Sequence, residues 1–121
     1  MKKIYIQILI IISLAFGQDE PELFEYNQST LQSFYFFDAV TIDGNPIDSD
    51  DWVGAFNGDV CVGARQWDTS LCGGGLCDVP VMGDDGAIYT SGYMFIGDVP
   101  SFKIYDASED TYYTASISGN Y

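Results

Sequence analysis

The sequence predicts an all-β protein, a single antiparallel β-sandwich, Ig-like or jelly-roll-like, of about 6–8 strands behind a cleaved signal peptide. Three observations predict it. Short segments rich in aromatic and β-branched residues alternate with clusters of turn formers through residues 33–121, the pattern of successive short strands. No stretch after Gly17 repeats its apolar residues at a helical period. Asn57-Gly58 separates the apolar runs 52–56 and 60–64, and this dipeptide suits the two positive φ angles of a type I′ hairpin turn.

Taken in order, residues 1–17 form the signal peptide. Lys2 and Lys3 precede an apolar run that ends in small residues at Ala15 and Gly17, and the run is too short for a permanent span. The mature chain is therefore expected outside the cell or on its surface, with no insertion into the membrane. Residues 18–32 are acidic, contain Pro21 and lack periodicity, so they read as a flexible leader in which Phe24 and Tyr26 are available to dock. The module proper is 33–121. Its first strand, within 33–43, has apolar residues on both faces: Phe34, Phe36, Val40 and Ile42 on one, Tyr35, Phe37 and Ala39 on the other. That pattern predicts a central strand covered on both sides, ending at Asp43-Gly44-Asn45-Pro46.

In the hairpin that follows, Gly54 and Gly63 mark a bulge or a close approach, with Trp52 or Trp67 as the ring that covers them. Cys72-Gly73-Gly74-Gly75-Leu76-Cys77 reads as a local disulfide loop, since export permits oxidation and the glycines let the chain double back. Cys61, inside a strand, is expected reduced and buried, with pairing to Cys72 or Cys77 as the alternative. Residues 79–82 form an edge strand because of Pro80. A weaker apolar segment at 92–96 leads to a half-buried strand at 101–106 and a last one within 111–117. The abrupt finish at 118–121 reads as a chain truncated at its C-terminus or completed elsewhere.

The chain carries 18 carboxylates against 4 Lys and Arg, a net charge of −14. Such a surface repels phosphate backbones and anionic lipid, which argues against nucleic-acid and membrane partners. There is no histidine, hence no ordinary base for a serine or cysteine nucleophile, and nothing selects one carboxylate pair for glycoside cleavage. The reading is not an enzyme. Three cysteines without histidine do not make a zinc site. Asp43, Asn45, Asp48, Asp50 and Asp51 concentrate hard oxygen ligands in one segment and Asp84 and Asp85 in another, making them candidate Ca2+ ligands outside any EF-hand register. No cofactor is required. Trp52, Trp67, Tyr89 and Tyr93 are candidate ligand-binding rings for a sugar, which requires at least two of them exposed on one face.

Asp51-Trp52-Val53-Gly54-Ala55-Phe56, then Gly58-Asp59-Val60-Cys61-Val62-Gly63-Ala64, then Gly97-Asp98-Val99-Pro100-Ser101-Phe102-Lys103-Ile104-Tyr105-Asp106 resemble β-sandwich modules of secreted proteins from Bacteroidota and related environmental bacteria. The shared pattern is GDxIGxFxGDxCVGA followed by GDxxxFKxxD, from which Asp51 and Trp52 depart at the start. The resemblance implies a non-catalytic extracellular structural or adhesive module whose partners are other extracellular modules or surface glycans. Carbohydrate binding and self-assembly into a filament by strand exchange are the two alternatives.

Overall fold

A computed structural model describes residues 20–119; the signal peptide and cleavage site expected from the sequence lie outside the described residues. Among these residues there are eight strands and four single 3-10 turns, with no α-helix. The strands are β1 (Gln32–Phe37), β2 (Thr41–Ile42), β3 (Asn45–Pro46), β4 (Trp52–Asn57), β5 (Val60–Gln66), β6 (Cys77–Met82), β7 (Ser101–Asp106) and β8 (Thr111–Ala115). An antiparallel sheet runs β5-β4-β7-β8; β1 pairs with β6, and β2 with β3. The fold is all-β and antiparallel. The β1–β6 pair lies across the four-stranded sheet, β6 over β5 and β4, with the Tyr35 and Phe37 rings edge-on to Phe102 at 5.5 and 5.1 Å. Val53, Ala55, Val62, Trp67, Val79 and Phe102 fill the space between.

The Asn57-Gly58 hairpin forms one residue out of the expected register. Asn57 pairs with Val60, so the loop is Gly58-Asp59, and only Gly58 has a positive φ, 61°. That corresponds to the first central residue of a II′ turn rather than to I′. Asn57 stays in the strand, where its side-chain amide donates to the Gly92 carbonyl at 3.0 Å. The I′ pattern instead appears at Asp43-Gly44, whose φ values of 52° and 78° join β2 to β3. In β5 the register jumps between Ala55 and Phe56, which oppose Gly63 and Cys61. Val62 is therefore the extra residue of a bulge. The bulge lets Cys61 and Ala64, three apart, share one face with Phe56 while Val62 enters the other core.

Both glycines mark close approaches, as expected, although neither is covered by a tryptophan. A Cβ on Gly63 would lie 1.6 Å from the Pro80 carbonyl oxygen, and one on Gly54 would lie 2.8 Å from the Phe24 ring. Trp67 packs instead beside Phe37 in the core, while half-buried Trp52 lies beside the second cluster. Phe24 is the centre of that cluster, 0% exposed among Phe56, Cys61 and Ala64, edge-on to Phe56 and Tyr112 at 5.8 and 5.4 Å. The segment expected as a flexible leader thus lies against the outer face of the sheet. Leu23 N–H donates to the Tyr112 hydroxyl, Asn27 N–H to that of Tyr93, and the Ser29 hydroxyl to the Gly83 carbonyl. The reason is shape: Gly54 leaves a hole in the sheet that only an incoming ring fills.

Two further expectations change. The strand expected at 33–43 stops at Phe37, and it is not covered on both faces, because Phe34 and Phe36 are 50% and 61% exposed. β6, expected at an edge, does pair on one side only, where the missing N–H of Pro80 suits it. Nevertheless it is almost wholly buried, pressed onto β5 at Gly63.

Candidate functional site

The candidate calcium ligands are distributed over several turns and loops. Among the described residues no three carboxylate or thiol side chains form a group able to hold a metal. Asp51 is 3% exposed, and its two oxygens accept the Asp48 and Ala107 N–H groups at 2.7 and 2.9 Å, so it clamps two loops. Asp43 sits in the I′ turn and Asn45 in β3; Asp48 and Asp50 are exposed. Asp84 accepts Gly86 N–H at 2.9 Å. Asp85 accepts Thr30 N–H at 3.0 Å, the Thr90 hydroxyl at 2.8 Å and Ala87 N–H at 3.1 Å. These are turn and loop contacts of the kind short carboxylates make with nearby backbone.

These donors, together with the Thr30 hydroxyl at 3.2 Å, hold the Asp85 carboxyl well below the usual carboxylate range, the Thr30 N–H first and the Thr90 hydroxyl next. A carboxyl depressed by folding stabilises the fold above its unfolded value, about 3.9, and that contribution disappears as pH falls through the lower folded value. Wild type is therefore expected to melt above Asp85→Asn at neutral pH, with the gap narrowing below about pH 4. A gap independent of pH would contradict this account.

The candidate rings are divided in the same way. Trp67 and Tyr93 are core residues, the Tyr93 hydroxyl being taken by Asn27 N–H at 2.8 Å. Trp52 is half-buried and Tyr89 exposed, so two of the four rings lie inside the molecule.

Cys72 and Cys77 form the expected disulfide, with Cα atoms 5.2 Å apart, and Cys61 is free and buried. Burial pushes the Cys61 thiol up to about 11, which keeps it protonated and unreactive at neutral pH. Closing so short a loop constrains the unfolded chain weakly. Cys72→Ala with Cys77→Ala is expected to cost no more than about 2 kcal/mol in urea unfolding.

The feature that residue-type reasoning missed is the bare outer face of β1, a strand it expected to be central and covered on both sides. Among the described residues β1 pairs with β6 only, and its sequence Gln-Ser-Phe-Tyr-Phe-Phe contains none of the charges, prolines or glycines that blunt a strand edge. Phe34 and Phe36 stand on its outer face. Two clefts lie beside it. One, of about 480 Å³, is lined by Phe37, Val40, Ile42, Ile104, Ala115 and Ile117; the other, of about 840 Å³, by Gln32, Ser33, Tyr35, Met94, Phe95 and Ile96. Leu31, Phe95 and Ile96 are exposed there. The available signal was a six-residue uncharged aromatic run in a strongly acidic chain.

Compared with known proteins, the chain matches no family model, no curated protein and no solved structure.

Proposed function

We propose that the chain is an exported, non-catalytic structural or adhesive β-sandwich module that meets other extracellular proteins through the outer face and second edge of β1. The observation that carries this reading is the exposure of Phe34 and Phe36 on the outer face of the β1–β6 pair, because two adjacent bare aromatic rings are costly to leave in water unless something covers them. The signal-like residues 1–17, the Cys72–Cys77 bridge and the motif resemblance to secreted Bacteroidota modules support the extracellular setting.

The test has two arms. Expressed in full in a Gram-negative host, the chain is expected outside the cytoplasm, beginning at Gln18 and carrying one disulfide by intact mass. An uncleaved, reduced cytoplasmic product would contradict export. In the second arm, Phe34→Ser with Phe36→Ser is expected to change the unfolding free energy by less than about 1 kcal/mol, as for exposed positions. A loss of several kcal/mol would make these rings part of the fold rather than a contact surface.

A further inference from the structure

Residues 20–28 lie on the outer face of the four-stranded sheet without becoming part of it. Among the described residues, no backbone-to-backbone hydrogen bond ties them to a strand. Their hydrogen bonds to the rest of the chain use a side chain as one partner. Leu23 N–H donates to the Tyr112 hydroxyl at 3.2 Å, Asn27 N–H to the Tyr93 hydroxyl at 2.8 Å, and the Asn27 side-chain amide to the Tyr89 carbonyl at 3.0 Å. Their packing is concentrated in one ring, Phe24, which fills the hole at Gly54 among Phe56, Cys61 and Ala64.

Beyond Gln28 the attachment changes. The Ser29 hydroxyl donates to the Gly83 carbonyl at 2.6 Å, Thr30 N–H to the Asp85 carboxylate at 3.0 Å, and the Leu31 carbonyl accepts Gly83 N–H at 2.7 Å, so three successive residues are tied to the loop after β6. Exposed Gln28 is therefore the point at which 20–28 can turn away while 29–31 stay fixed. Detachment empties the cluster around Phe24 but leaves Val53, Ala55, Val62 and Phe102 in the core on the other side of the sheet, and it breaks none of the ladders. An opening that breaks so few contacts lies below global unfolding in free energy. Charge favours release as well, since Glu20, Glu22 and Glu25 dock onto a chain whose net charge is −14.

We propose that residues 20–28 are a detachable strap, hinged at Gln28, which opens as a unit while the sandwich stays folded and so switches the outer face of β4 and β5 between a covered and a bare state. The strap is independent of the reading of β1 as a contact surface, and either can fail without the other. Cys61 reports the opening. With Cys72 and Cys77 bonded to each other it is the single free thiol, 8% exposed in the cluster around Phe24, and it lines a cleft with Glu20, Glu25 and Tyr26 of the strap. Burial keeps it protonated in the closed state, so the open state is the one that presents a reactive thiolate.

The test is the rate at which Cys61 of the mature chain reacts with an aromatic disulfide reagent, measured across a urea series beside residue-resolved amide exchange. The expected result is labelling faster than global unfolding and less dependent on urea, because the strap uncovers less surface than the whole domain. Tyr112→Phe removes the acceptor for Leu23 N–H and should speed labelling about two- to tenfold, the worth of one hydrogen bond, with amide exchange in β4 and β7 unchanged. Phe24→Ala should speed it by at least about tenfold; Tyr112→Phe keeps the test independent of how well that variant folds. Three results would overturn the proposal: labelling only at the rate and urea dependence of global unfolding, equal labelling of wild type and Tyr112→Phe, or faster labelling of Tyr112→Phe accompanied by lost protection in β4 and β7, which would place the opening in the sheet.

Discussion

Replacing Gly63 by alanine is expected to abolish stable folding. The added Cβ would sit 1.6 Å from the Pro80 carbonyl oxygen and 2.6 Å from its carbon, a collision with backbone rather than with a movable side chain. Relief requires β5 and β6 to separate, but Val62, Val79 and Val81, which flank the contact, are at most 3% exposed. Separation would open the core along its length. The cost belongs to the exceptional class above about 4 kcal/mol, a large part of the 5–15 kcal/mol that typically holds a domain together. Gly54→Ala is the control. Its Cβ meets the Phe24 ring at 2.8 Å, which can tilt, so a loss of about 1–3 kcal/mol is expected, as for ordinary overpacking. Urea unfolding of both variants gives the comparison, and a Gly63→Ala protein as stable as wild type would refute the close approach of the two strands.

Phe24→Ala is expected to destabilise the domain by about 3–5 kcal/mol, the usual range for emptying a buried phenylalanine site. The ring is wholly buried and sits against Phe56, Tyr105 and Tyr112. Its loss uncovers Gly54 and the outer face of β4 and frees residues 20–31 from the sheet. The same variant should weaken the near-ultraviolet circular dichroism of the tyrosines and speed proteolysis before Ser29. A cost below about 1 kcal/mol would return the segment to the flexible leader predicted from its composition.

Local chemistry made some elements legible in the sequence and left others hidden. The turn at Gly58, the disulfide across three glycines and the burial of Cys61 follow from residue type and neighbours, and they occur. The exact turn type did not follow, because the Val62 bulge, which shifts pairing by one residue, depends on contact with two cores at once. The leader was misread for a related reason. Its acidic, proline-containing composition is that of a solvated tail, and nothing local shows that Gly54 leaves a hole the size of a ring. β1 was placed in the centre because both of its faces are apolar, yet periodicity does not distinguish a strand covered by its own chain from one left bare. The acidic residues illustrate the same limit. Asp51 and Asp85 are spoken for by backbone donors from distant segments, Ala107 and Thr30, and clustering in sequence does not reveal such partners.

Amide exchange of the isolated mature chain, resolved by residue, tests the central claim most directly. The account predicts the slowest exchange in β4 and β7, which are flanked by strands on both sides, and an alternating pattern along residues 32–37. Residues bonded to β6 should be protected, and the intervening ones should exchange rapidly from the second edge. Uniform protection along β1 would contradict the account, because the second edge of β1 would then be bonded within the chain itself.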